Sequence, residues 1–118
     1  DTPAEVYVHS KVTIMDDVFT VISSANLNTR SMQVDTELGI IMECADVAEG
    51  LRKRLWDLHT NKNFAANPDD MHDYAVAEGA FKEWQRLINE NKKNMGDKSP
   101  KCALREFYRA DPTVSRSD

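Results

Sequence analysis

The sequence predicts an α/β fold in which a small sheet occupies the first third of the chain and helices fill most of the rest. Three observations carry this reading. Short apolar runs occupy the first 43 residues, apolar positions then recur every three or four residues, and polar turn chemistry separates the segments.

Val6-Tyr7-Val8 leads into a strand that runs from about Val6 to Met15. Alternation along it puts His9, Lys11, Thr13 and Met15 on one face and Val12 and Ile14 on the other. Asp16-Asp17 makes a turn, and Val18-Phe19-Thr20-Val21-Ile22 returns as the second strand of a hairpin. The polar stretch from Ser23 to Gln33 forms a loop with room for one helical turn. Within 37–43, the run Leu38-Gly39-Ile40-Ile41-Met42 predicts a buried third strand.

Asp46 suits the N-cap of a helix to about His59, with Val47, Leu51, Leu55 and Leu58 at helical spacing and Arg52, Lys53 and Arg54 largely outside. Asn67-Pro68-Asp69-Asp70 signals a turn and a helix start. Tyr74, Ala77, Phe81, Trp84 and Ile88 then describe an amphipathic helix to about Lys92. The segment Met95 to Pro100 breaks it, Leu104, Phe107 and Tyr108 can dock a short further element, and 111–118 reads as a tail. The chain is thus one domain over 1–110, with strands at about 6–43 and helices at about 46–94. Trp56, Phe81 and Trp84 read as core aromatics, and His59 and His72 as helix-surface residues.

A chain of 118 residues with 41% hydrophobic content supports one small domain and is too short for two. Its net charge of −5 argues against a protein that coats nucleic acid, although a local basic pocket can sit inside an acidic domain. No apolar run approaches the length of a membrane span, and Asp1-Thr2-Pro3-Ala4-Glu5 lacks the layout of a signal peptide. Cys44 and Cys102 show no metal-ligand or redox spacing and read as unpaired thiols.

The chemistry concentrates between His9 and Glu37. An imidazole and an ammonium on one strand face suit a phosphate group: the lysine neutralises its oxygens, and the histidine can attack phosphorus or deliver a proton. The spacing is His9-x-Lys11-x4-Asp16, followed after further residues by Ser23-Ser24-Ala25-Asn26 and then by Asp35-Thr36-Glu37. On these residues the chain resembles the phospholipase D superfamily. Ser23 stands where that family usually has glycine, which would strain the backbone if the position required positive φ.

The resemblance implies the C-terminal part of a phospholipase D-type mixed sheet flanked by helices, incomplete without an N-terminal half. Only eight residues precede His9, so three strands would be left with uncovered faces and edges, and the chain reads as a fragment. In the family two such motifs face each other: one histidine attacks phosphorus to form a phosphohistidine and the other protonates the leaving group. This chain would carry one half-site, with His9 the general acid and later the base, or alternatively the nucleophile. The partner would be the half bearing the second motif, and the chemistry needs no cofactor or metal.

In this frame Lys11 and Asn26 hold the nonbridging phosphate oxygens together with His9, and Ser24 is a weaker helper. Asp16 lies past the strand end and acts structurally. Glu37 matches the acidic residue that orients the motif histidine, with Asp35 the alternative. Arg30, in the Asn28-Thr29-Arg30-Ser31 segment of lipid-cleaving relatives, pairs with a carboxylate to lock its loop.

More loosely, residues 51–60, 67–70 and the Leu104-Arg105-Glu106-Phe107 segment resemble bacterial phospholipase D effectors delivered by type VI secretion. That resemblance implies a toxin acting on phospholipids in a rival cell's periplasm, with an immunity protein in the producer. Three activities follow as expectations: a phospholipase D, a phosphatidyltransferase related to cardiolipin synthases, or, less favoured by the acidic balance, a nuclease. A binding module whose partner half is inactive is the non-enzymatic alternative.

Overall fold

The computed structural model describes residues 8–94 and 100–106. Strands β1 (Lys11–Met15), β2 (Phe19–Ser23) and β3 (Gly39–Glu43) form an antiparallel sheet in the order β1-β2-β3. The short helix α1 (Thr29–Gln33) lies in the loop between β2 and β3, and α2 (Ala45–Thr60), a single 3-10 turn (Phe64–Ala66) and α3 (Tyr74–Lys93) follow. The mixed sheet expected from the family resemblance is therefore antiparallel throughout its described strands. The three-residue link between β1 and β2 is too short for the crossover a parallel pair needs, whereas the longer β2–β3 link, which holds α1, returns the chain antiparallel beside β2.

β1 begins at Lys11 rather than Val6; residues 6 and 7 lie outside the described residues, and 8–10 are not strand. The hairpin is closed by the Val18 N–H donating to the Met15 carbonyl at 3.1 Å, and the intervening Asp16 and Asp17 have φ of 52° and 50°. A tight hairpin turn needs positive φ at both central positions, and aspartate tolerates it better than most residues. The resulting register pairs Lys11 with Ser23 and Met15 with Phe19.

Helix α2 starts two residues earlier than an Asp46 N-cap would set it. Cys44 occupies the N-cap without a side-chain bond, and Asp46 sits in the first turn, where its charge still favours the helix N-terminus. Asp73 caps α3 by accepting from the N–H groups of Ala75 and Val76. That moves the helix start beyond the Asn67-Pro68 turn and leaves the intervening residues to the loop.

Burial departs from the periodicity in three places. Arg52, expected outside, is buried, whereas Val47 and Leu58 are exposed. Phe81 and Tyr74 are also exposed, so of the three expected core aromatics only Trp56 and Trp84 pack, edge to face at 5.0 Å. The expected buried third strand is exposed along its whole length, because α2 packs against β1 and β2 and no described element covers β3.

The main core lies away from the sheet: Ala66, Leu87, Cys102 and Leu104 are buried together, with Trp84 and Ile88 against them. The Trp84 indole donates to the Ala66 carbonyl at 2.8 Å, and the Asn91 amide donates to the carbonyls of Cys102 and Leu104, fastening the chain after α3 back onto that helix. Both cysteines are free, as expected. His59 is exposed on α2 against Trp84, while His72 is exposed but in the loop before α3 rather than on a helix. Phe107, Tyr108 and the tail at 111–118 lie outside the described residues. Among the described residues no helix is long and apolar enough to cross a membrane.

Gly39 and Ser23 face each other across β2 and β3, and a Cβ on Gly39 would meet the Ser23 Cβ and Oγ at 3.1 Å. The serine in the family's glycine position thus depends on a glycine opposite. Gly39→Ala is expected to lower stability by about 1–3 kcal/mol through overpacking. Adding Ser23→Gly should restore most of that loss in a denaturation series, and additive effects would refute the coupling.

Candidate functional site

The site gathers at the end of the sheet where β1 begins, β2 ends and β3 begins. His9 lies two residues ahead of β1 and is exposed, and Lys11 is the first residue of the strand. The Lys11 Nζ stands 2.9 Å from each ring nitrogen of His9 and donates to the His9 carbonyl at 2.7 Å. Equal distances to both ring nitrogens mean that the ammonium faces the ring rather than a single in-plane lone pair. The expected pairing of imidazole and ammonium therefore holds although His9 lies outside the strand.

Beyond β2 the backbone turns on serine hydroxyls. Ser23 Oγ accepts from the Ala25 N–H at 2.9 Å, a local side-chain turn that needs no positive φ, so the strain expected at this position is absent. Ser24 Oγ donates to Glu37 Oε2 at 2.5 Å and accepts from the Leu38 N–H at 3.1 Å, tying the end of β2 to the approach to β3. His9, Ser10, Ser23, Ser24, Leu38 and Gly39 contribute to the lining of an open hollow of about 400 Å³.

Glu37 is held below the usual carboxylate value of 4.5, first by the Ser24 hydroxyl, then by that of Ser31, with the charges of Lys11 and His9 adding to the effect and partial desolvation opposing it. A carboxylate kept ionised there offers a counter-charge to Lys11 and a hydrogen-bond acceptor near His9. Because the folded-state value is depressed, its favourable contribution is present above about pH 4.5 and fades as pH falls through the lower folded value. Ser24→Ala should raise the Glu37 value, so any acidic fall in kcat/KM governed by this group should move to higher pH. An unmoved acidic limb would separate Glu37 from the reaction.

Asn26 is half-buried in the loop after β2 and makes no side-chain hydrogen bond among the described residues, but it is not one of the residues that line the hollow, so the expected grouping with His9 and Lys11 is not seen there. Arg30 pairs with Asp35 at 2.9 Å as its expected lock on the loop, but both are substantially exposed and the pair is worth little on its own. The contact also commits Asp35 to Arg30, leaving Glu37 as the carboxylate near His9 and Lys11. Asn28 supports the same loop by capping α1, its side chain accepting from the Ser31 N–H at 2.8 Å.

Asp16 is exposed and sits five residues beyond Lys11, about 16 Å away at strand rise. It belongs to the turn, as expected, but the structural ion pair there is made by its neighbour Asp17. The Asp17 carboxylate accepts from the Arg52 Nε at 2.8 and 2.9 Å, with both side chains buried. Neither residue is evident from the motif spacing. A usable signal was the helical stripe Ala48-Arg52-Trp56, which places Arg52 on the face of a small and an aromatic residue rather than outside.

Residues 2–59 match the domain model described as "Cardiolipin synthase, PLD-like domain". The chain is 36% identical over 109 residues to phospholipase D C of Dictyostelium discoideum, an alignment covering 74% of this chain and 6% of that protein. It is 42% identical over 106 residues to phospholipase D zeta 1 of Arabidopsis thaliana, covering 75% and 10%, and 29% identical over 140 residues to phospholipase D2 of Bos taurus, covering 95% and 15%. The chain thus spans a tenth or less of the first two relatives. No solved structure gives a significant match. The domain match and these relatives establish that the chain belongs to the phospholipase D superfamily.

Proposed function

We propose that this chain supplies one of two His-x-Lys half-sites of a phospholipase D, which hydrolyses the phosphodiester of membrane glycerophospholipids to phosphatidate and a free head group. The observation that carries the reading is the contact of Lys11 with His9 beside the Ser24–Glu37 pair. A phosphodiester is anionic and its alkoxide leaves poorly, so the site must supply charge neutralisation, a nucleophile and a proton.

Lys11 and Asn26 take the nonbridging oxygens. The histidine of the other half attacks phosphorus while His9 gives its proton to the departing head-group oxygen, forming a phosphohistidine. His9 then takes a proton from water as that water attacks phosphorus and the P–N bond breaks. One imidazole cannot fill both roles in the same step, so a second half-site is part of the proposal. Exposed Ile40 and Ile41 on β3 fit a sheet that is completed by further polypeptide.

A phosphatidyltransferase using the same intermediate, with a lipid alcohol in place of water, is the second reading, favoured by the description of the matching domain model. The relatives reported above are eukaryotic and lend no support to a secreted antibacterial effector or to an immunity partner. Product analysis with the intact protein tests the proposal. Choline or ethanolamine with phosphatidate supports hydrolysis, glycerol with cardiolipin supports transfer, and nicked DNA supports a nuclease. Absence of turnover on every substrate would leave only a binding role. Robust activity from a purified monomer of these 118 residues would overturn the half-site inference.

A further inference from the structure

Arg52 is 3% exposed and Asp17 6%, and together they fasten three segments at one point. The Arg52 Nε donates to both Asp17 carboxylate oxygens, at 2.8 and 2.9 Å, and Nη1 donates to Asn67 Oδ1 at 2.8 Å and the Pro68 carbonyl at 3.1 Å. The guanidinium carbon lies 5.2 Å from the centre of the Trp56 ring. Asn67 in turn donates to the Lys53 carbonyl at 2.8 Å and to Asp57 Oδ1 at 2.9 Å, so the loop before α3 is bound to α2 beneath the hairpin turn. All of this lies at the opposite end of β1 from His9.

The hairpin turn sets which residues of β1 face the site. In the observed register Lys11 is opposite Ser23, which brings Lys11, and with it His9 two residues earlier, to the end of the sheet where Ser24 holds Glu37. Side chains alternate, so a slip of one residue would turn Lys11 to the other face and bring its neighbours forward. Asp17 is one of the two turn residues with positive φ, a backbone state that a non-glycine residue holds only when its surroundings fix it.

From this geometry we infer that the Asp17–Arg52 pair is a positioning device: α2, through Arg52, locks the turn conformation and thereby the register that presents Lys11 and His9 to the Ser24–Glu37 pair at the end of β2. Neither residue touches the reacting groups. The kinetic part of the inference rests on the phosphodiesterase reading above; the register part does not.

Arg52→Lys and Asp17→Glu test it in the intact protein, since each keeps the charge while disturbing the fork geometry. Each variant is first shown to unfold cooperatively above the assay temperature. Turnover on phosphatidylcholine vesicles is expected to fall about tenfold or more with KM nearly unchanged, the sign of misplaced groups rather than lost binding. In parallel, Val12→Cys with Ile22→Cys reads the register, because these partners lie within disulfide reach in the observed pairing. Peptide mapping after mild oxidation should show the 12–22 cross-link reduced to less than half its yield in either variant background. Two conservative variants guard against a fold failure in one. A fall in only one of the two readings, or in neither, overturns the inference. His9→Asn is run alongside: if it retains full turnover, the phosphodiesterase reading fails, and the cross-link yield alone then decides the positioning role.

Discussion

His9→Asn in the intact protein is expected to lower phospholipid turnover by about a thousandfold or more while leaving the melting transition in place. Loss of general acid and base catalysis accounts for about 10²–10⁴ in rate, and an asparagine amide can neither give nor take the proton. His9 is exposed and precedes β1, so no packing is lost with it. Lys11→Ala is expected to cost about 10²–10³, the range seen when a preorganised donor to a developing oxyanion is removed. It should also lower kcat more than it raises KM, because the charge matters most in the transition state. Steady-state rates with head-group release as the signal check both. Undiminished turnover by either variant would remove the residue from the reaction, and a folded His9→Asn enzyme at full rate would refute the half-site proposal.

The second large effect is on stability. Asp17→Ala or Arg52→Met is expected to lower unfolding free energy by about 3–5 kcal/mol, because each leaves a buried, uncompensated partner. Arg52 would lose its carboxylate while remaining among Asn67, the Pro68 carbonyl and Trp56; Asp17 would lose both of the hydrogen bonds that Arg52 Nε gives its carboxylate. A pair of apolar replacements should cost much less than the sum of the single ones, since it removes both charges together. Chemical denaturation of the four species closes the cycle. Single losses below about 1 kcal/mol would mean that the pair behaves as a surface ion pair despite its burial.

These two sets of residues differ in how legible they were. His9 and Lys11 stood out because an imidazole and an ammonium two residues apart suit a phosphate, and Ser24 and Glu37 stood out through the family resemblance; the fold brings the four to one end of the sheet. The hairpin too was legible, since apolar runs flanking Asp16-Asp17 permit few other arrangements. Arg52 was not. Three consecutive basic residues look alike in a charge pattern, and only the packing of α2 over the turn separates the one that points inward from Lys53 and Arg54. Phe81 and β3 failed for the converse reason: periodicity reports which residues are apolar, and burial also requires another element to cover them.

The sequence by itself determined the α/β class, the hairpin, the two long helices and the pairing of a histidine with a lysine, because local alternation, capping and turn chemistry act over a few residues. Only the tertiary structure decided that Asp17 rather than Asp16 carries the buried ion pair, that Glu37 is held by Ser24 and Ser31, that Asp35 is taken by Arg30, and that Ser23 depends on Gly39. Those are choices among chemically equivalent neighbours or between distant segments. They turn on angstrom-scale distances fixed when strands, loop and helix meet, which spacing along the chain does not encode.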